Sequence, residues 1–373
     1  MPDCWHSAHV HYHEPDKDGL LLDAVRPLLD RLGTAVRGAH VLRHWRQGPH
    51  LRINLRADPP TWESRVRPAI EEVVGGYLSD HPSTARLDIA RVLAQHRLLA
   101  EQEREQGPLT PWPDDNTIVY RPYASREHVL GEEGAALLAD FYTATTGPLM
   151  DMLDHVRYGH DDKELLATSL MLAVAHTVLG PITRSFVSYR SHAEGFIATC
   201  SAPAAVRAAF DRRYEERRDE LTARLRAVIS TLDPRGEIRA EGAALEPVPF
   251  AREWAALTER FAGRARPLIG RGLLITAGAP ERLKALPVLS DFHQTMLSTH
   301  AYHERYLSTP EFLTYRLLLN YTYLHLTRLG MSPPERMRTC HLAANAVEDV
   351  YGVSASGMIE QFTAAHRTAN AHA

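Results

Sequence analysis

Residues 41–56, Val-Leu-Arg-His-Trp-Arg-Gln-Gly-Pro-His-Leu-Arg-Ile-Asn-Leu-Arg, read as two short strands joined by a Gly48-Pro49 turn. Side chains alternate across a strand, so Leu42, His44 and Arg46 point one way on the first arm. On the second arm His50, Arg52 and Asn54 share one face, while Leu51, Ile53 and Leu55 share the other. One face is apolar and the other basic, the pattern of a sheet packed on a core from one side. Two readings of the basic face stay open. Exposed arginine is ordinary on a solvated surface; a set of arginines at a sheet edge also makes an anion or carbonyl site, because guanidinium offers a fixed fork of donors and keeps its charge.

Working outward, Trp5 to His13 alternates as a strand, with His9, His11 and His13 on one face and Val10 and Tyr12 on the other. Three histidines on one strand face rarely converge on a tetrahedral ion, so no metal is assigned and the face is read as polar or as a cleft wall. Asp18 to Leu32 has helical apolar spacing, with Gly33 where the helix should stop. Pro59 to Leu78 and Ala85 to Glu105 give two more helices, and Asn116 to Tyr123 an edge strand halted by Pro122. The expected fold is α+β: an N-terminal antiparallel or mixed sheet with covering helices, followed by a largely helical C-terminal half. It forms a single unit over 1–373, with a sheet-rich lobe at 1–131 and a mainly helical lobe at 132–373. Helices are expected at 134–157, 164–178, 204–230, 250–262, 311–329 and 334–350, with loose connections at 232–249 and 277–287. The alternating charges of 211–226 predict a solvated helix with ion pairs at helical spacing, or a docking face for an acidic peptide.

The composition fits an ordinary globular protein: 373 residues, 44% hydrophobic and 24% charged. A net charge of −4 argues against general nucleic-acid binding. Cys4, Cys200 and Cys340 match neither a disulfide framework nor a metal spacing, which suits a reducing cytosol. The N-terminus lacks a basic start followed by an apolar core, and no apolar run approaches the ~20 residues of a membrane span, so a cytoplasmic protein is expected. There is no P-loop, dinucleotide fingerprint or nucleophile elbow, and no cofactor is expected.

Further polar clusters are Tyr189, Arg190, His192 and Glu194, where Arg190 and Glu194 lie four apart and are positioned to pair on a helix, and Ser290 to His293 with Ser298, His300, Tyr302 and His303. A third group, Tyr321, Tyr323, His325 and Arg328, sits on an otherwise apolar helix stopped by Gly330.

The block Arg-His-Trp-Arg-Gln-Gly-Pro-His-Leu-Arg-Ile, with Trp5 to His13, Leu20 to Leu32, Pro122-Tyr123 and Leu319 to Tyr351, resembles the lantibiotic dehydratase C-terminal (elimination) domain family. Its members include free-standing elimination proteins and the pyridine synthases of thiopeptide biosynthesis, all working on ribosomally made peptides. Elimination proteins show an acidic, arginine-bearing run ending Arg-Tyr-Gly-Gly; this chain keeps Pro122-Tyr123 but carries Arg126, His128 and Leu130-Gly131. Thr327 stands for the Asn of their closing Asn-Arg-Leu-Gly, and Arg52-Ile53-Asn54 for their Arg-Leu-Arg. The resemblance therefore implies a pyridine synthase before a glutamate-eliminating lyase. A pyridine synthase joins two dehydroalanines of one peptide in a formal aza-[4+2] cycloaddition, loses water and expels the leader peptide. A non-catalytic peptide-delivery partner of a dehydratase is the alternative of another class. The expected site comprises Arg43, Arg46, His50, Arg52, Arg126, Arg190 and Glu194 as substrate contacts. Tyr123, His128, Tyr189, His192 and His325 are the expected proton-handling or alkene-orienting groups. The implied partners are a leader-bearing precursor and a dehydratase; whether the chain dimerises stays open.

Overall fold

In the computed structural model, which describes residues 3–233, 246–274, 289–298, 302 and 306–371, the alternating stretches form a four-stranded antiparallel sheet. The strands are β1 (Cys4–His11), β2 (Gly38–His44), β3 (His50–Ala57) and β4 (Thr117–Pro122), in the order β2-β3-β1-β4. The register sets His9 opposite Arg52, His11 opposite His50, and His44 opposite His50. Because the period is two, these residues share one face, and Ala8, Val10, Val41, Leu51, Ile53 and Leu55, all at most 2% exposed, form the other. The expected edge strand 116–123 is β4, hydrogen-bonded to β1 alone.

Helices at 18–32 and 59–80 bury Leu20, Leu28, Val66, Ile70 and Val74. Each buried side chain of this size contributes roughly 1.5–3 kcal/mol. Trp62, near the start of the second helix, stacks on His6 of β1 at 4.2 Å. Asp58 caps that helix by accepting from Thr61 N at 3.0 Å.

The chain divides into two compact units, Met1–His160 with Thr327–Gly330, and Asp161–Leu326 with Met331–Ala373. In the first, the helix expected at 134–157 is two helices, Glu132–Ala144 and Thr146–Arg157. Pro148 has no N–H to reach the Ala144 carbonyl and disfavours helical backbone before it, and the Thr145 and Thr146 hydroxyls turn back onto the Phe141 and Tyr142 carbonyls at 2.7 and 2.8 Å. The first unit is completed by the end of the helix Pro310–Arg328. There Arg328, 2% exposed, donates Nε to the Val41 carbonyl and its two terminal nitrogens to the Thr145 and Thr146 hydroxyls, at 2.7–2.8 Å.

The second unit is built on helices Lys163–Val178, Val187–Thr199, Pro203–Leu232, Ala251–Gly270 and Pro333–Tyr351. Lys163–Val178 is buried on nearly every side, from Glu164 to Ala175, as its all-round apolar sequence requires. Asp162 caps its start through Leu165 N at 2.8 Å. The charged helix 203–232 is not simply a solvated ladder of local pairs. Arg213 and Arg217 turn onto Glu164, which is 6% exposed, at 3.0 and 2.9 Å, and Arg224 pairs with Asp161. Three-apart pairs persist beside these, Arg218 with Glu215, Arg217 with Glu220 and Arg213 with Glu216, and Arg218 also reaches Asp349. The connection 277–287 and the residues His300 and His303 lie outside the described residues. Among the described residues no single helix is long and apolar enough to cross a membrane.

Candidate functional site

The basic face of the sheet is buried: His50 is 1% exposed and Arg52 6%. The turn that starts β3 places these groups. Gly48 has φ +95°, and a Cβ there would meet the Trp112 ring at 3.1 Å, so glycine is required on both counts. The Gly48 carbonyl lies 2.8 Å from His50 Nδ1. A carbonyl only accepts, so the proton sits on Nδ1, and Nε2 is left to accept from Arg52 Nε at 3.3 Å. The rings of His9 and His11 each lie 4.8 Å from that of His50, and His44 lies 5.3 Å away.

Burial first, and Arg52 among its neighbours, holds these imidazoles neutral. His9 is lowered to about 2, His11 and His44 to about 4, and His50 well below its ordinary value. Arg52 is lowered to about 10 by burial and stays charged at neutral pH. Its second terminal nitrogen is buried without a partner among the described residues. A charged donor with one free nitrogen, ringed by neutral imidazoles, is suited to gripping a carbonyl or carboxylate oxygen.

Glu105, absent from the sequence-derived set, closes this group. Its carboxylate lies 2.7 Å from Arg126, 3.8 Å from Arg46 and 3.8 Å from His44. Burial would raise it, but His44, Arg126 and Arg52 outweigh burial and hold it at about 2. Arg126 also donates to the Glu103 carbonyl at 2.7 Å, and Arg46 to the Gln106 carbonyl. His128 is exposed, with Nε2 at 3.3 Å from the Arg104 carbonyl. Arg104 and Arg126 both take the left-handed conformation, at φ +53° and +60°, a cost of roughly 1–2 kcal/mol for each. Tyr123 stacks on Trp5 at 5.2 Å, its hydroxyl pushed up to about 12 by burial. Arg43 alternates onto the opposite face, where it pairs with Asp18 at 2.5 Å and donates to the Arg328 carbonyl at 2.9 Å. Thus Arg46, Arg52 and Arg126 come together around Glu105, His50 joins them through Arg52 and the ring of His44, and Arg43 stands apart.

The remaining predicted residues belong to the second unit. Arg190 and Glu194 do not pair with each other. Arg190 binds Asn345 and Glu348 at 2.5 and 2.6 Å, and Glu194 takes both terminal nitrogens of Arg207. Tyr189 is fully buried with its hydroxyl on the Met171 carbonyl, and His325 is fully buried against Trp254 at 4.5 Å. His192 is partly exposed; its Nδ1 meets the Tyr323 hydroxyl at 2.8 Å, and that hydroxyl lies 3.2 Å from Cys340 Sγ. Burial, then Arg316 and His293, lowers His192 to about 4. Next to it in sequence, Ser191 Oγ lies 3.0 Å from His293 Nε2, whose Nδ1 lies 2.8 Å from Ser290 Oγ. Among the described residues no group of three His, Cys, Asp or Glu side chains is arranged to hold a metal ion. Glu105 had no local signal, since its partners are 21 to 61 residues away in sequence. Ser290 carried one, a helix-capping serine immediately before an acidic residue.

A search of curated proteins returned no match. Among solved structures, the chain is similar to "Pyridine synthase, TbtD, from thiomuracin biosynthesis": 37% identity, TM-score 0.74, covering 94% of this chain and 99% of that one. It also matches "Crystal structure of TsrL" at 23% identity and TM-score 0.68, covering 96% and 98%, a likeness of fold. The family model for the lantibiotic biosynthesis dehydratase C-terminal region matches residues 5–347. With the arginine-bearing sheet and most of the helical second unit inside that match, the chain belongs to the lantibiotic biosynthesis dehydratase C-terminal family.

Proposed function

We propose that the chain is a pyridine synthase acting on a ribosomally made peptide. It joins two dehydroalanines in a formal aza-[4+2] cycloaddition, then loses water and expels the leader peptide. The observation that carries this reading is 37% identity to a pyridine synthase across nearly the whole of both chains. The substrate class is a leader-bearing precursor already dehydrated by a partner enzyme. Such a reaction asks mainly for two alkenes held in register, an effect worth up to ~7–11 kcal/mol in well-oriented cases. It also asks for proton movement between the nitrogen and oxygen of one amide. Arg52, charged and with one nitrogen free among the described residues, suits the oxygen of a peptide group. The neutral imidazoles around it add no competing charge.

The test is incubation of the purified protein with a leader-bearing peptide containing two dehydroalanines, followed by mass spectrometry. Loss of water with release of the leader as an amide is the expected result. If that peptide is unchanged while a glutamylated precursor loses glutamate, the reading is replaced by elimination. If both bind and neither changes mass, the chain is a delivery module.

A further inference from the structure

His293 is 1% exposed and held by a hydroxyl on each ring nitrogen, Ser290 at 2.8 Å on Nδ1 and Ser191 at 3.0 Å on Nε2. The three come from two segments about 100 residues apart: Ser191 from the helix Val187–Thr199, and Ser290 with His293 from the start of the helix Asp291–Ser298. The packing leaves space for little else, since a Cβ on Gly195, one turn beyond Ser191, would meet His293 Cε1 at 3.3 Å. Ser290 Oγ also accepts from the His293 backbone N–H at 3.3 Å, which fixes the serine as the end-cap of that helix. With its second lone pair it can accept Nδ1–H as well, leaving Nε2 free to take the Ser191 proton. His293 is too buried to reach a ligand, but Ser191 is partly exposed. Its sequence neighbour His192 forms a second chain with the Tyr323 hydroxyl at 2.8 Å.

The geometry points to a proton relay: Ser191 as the group that touches the substrate amide, with His293 and Ser290 as the positioning residues behind it. The inference rests on the pyridine-synthase reading and names the residue that moves the proton. The substrate amide N–H bond breaks as its proton passes to Ser191 Oγ, while the proton of Ser191 passes to His293 Nε2. The flow then reverses onto the amide oxygen: an O–H bond forms, and Ser191 and His293 end as they began. Nothing is oxidised or reduced, and the substrate leaves as its imidic-acid tautomer, the diene the cycloaddition needs. Burial keeps the His293 imidazole below its ordinary pKa, with Glu194 opposing, so the ring enters this cycle neutral.

The experiment uses the full chain and the leader-bearing bis-dehydroalanine peptide, comparing wild type with Ser191→Ala, Ser191→Thr and His293→Gln. Ser191→Ala and His293→Gln should each lower kcat about 100-fold or more with KM within about threefold, the size general acid–base groups contribute. Ser191→Thr, which keeps the hydroxyl, should recover most of kcat. A merely structural role predicts instead that alanine is as active as threonine, or that KM and melting temperature move together. An active wild type with Ser191→Ala within threefold of it overturns the relay and leaves the function standing. An inert wild type overturns the function, and the relay falls with it.

Discussion

Arg52 shows how burial converts an ordinary residue into a selective one. On a solvated strand its guanidinium would be screened and interchangeable with lysine; at 6% exposure, each donor must be placed. One is spent on His50 Nε2, and one terminal nitrogen has no partner among the described residues. Arg52→Ala should therefore abolish turnover of the dehydrated peptide with folding retained, read by mass spectrometry beside a circular dichroism melt. Arg52→Lys should recover little, because a single ammonium cannot reach both His50 and a ligand. Glu105 makes the opposite case. Glu105→Gln removes a carboxylate held to Arg126 at 2.7 Å and should cost about 1–3 kcal/mol in urea denaturation. The same change leaves Arg126, Arg46 and Arg52 without their shared counter-ion, so affinity for an acidic peptide should rise, measured by calorimetry. Unchanged affinity would mean that these arginines serve only the fold.

At the scale of elements, Arg328 ties three pieces of the first unit together: the edge strand β2 through Val41, and both sides of the break at Thr145. Arg328→Met keeps much of the volume but strands the Val41 carbonyl. Hydrogen bonds to charged groups are worth about 1.5–3 kcal/mol each, so losing all three should cost roughly 4.5–9 kcal/mol in urea unfolding, with less than half recovered by lysine. Substitution of Arg43, whose partner Asp18 is 20% exposed, should cost less. The strands and the long helices were legible because their signals are local. Period-two alternation placed His50, Arg52 and Asn54 on one face, and helical spacing found 163–178 and 333–351 within a residue of their ends. The break at Thr145 was also written locally, in Gly147-Pro148, but the apolar spacing across it masked the signal. What could not be read is which distant charge meets which. Arg190 and Glu194 have helical spacing for a mutual pair, worth about 0.3–0.5 kcal/mol, yet tertiary packing offered each a better partner in Glu348 and Arg207. The same holds for Arg213 and Arg217 on Glu164, and for Glu105 on Arg126. Of the candidate site, the arginine strand was legible from pattern, and its closure by a carboxylate was not.

For the molecule as a whole, the buried histidines couple stability to pH. His9 and His40 are lowered to about 2 and 3, and His11 and His44 to about 4, in every case chiefly by burial. A histidine whose folded pKa lies below its unfolded value near 6.5 is neutral in the fold while the unfolded chain takes up a proton. Stability is therefore fully present above about pH 6.5 and falls as pH drops toward the folded values. Glu105, held at about 2, adds a second loss, because its contribution is present above the unfolded carboxylate value of ~4.3 and fades below it. At pH 5 each of these histidines forfeits up to about 2 kcal/mol, so the four together approach the whole stability of an ordinary domain. Urea midpoints measured from pH 8 to pH 5 should fall steeply below 6.5, well before carboxylates titrate. His40 gives the sharpest check: it is 1% exposed among Trp5, Tyr123 and Tyr142, and neither of its ring nitrogens has a partner among the described residues. His40→Leu removes one such proton and two stranded polar atoms at nearly constant volume. It should stabilise at pH 8, where the stranded nitrogens alone count, and by up to about 2 kcal/mol more at pH 5. The slope of stability against pH should drop by one proton between pH 6 and 5. An unchanged slope would show that His40 finds a proton in the fold, and that the sheet face is wetter than its burial states.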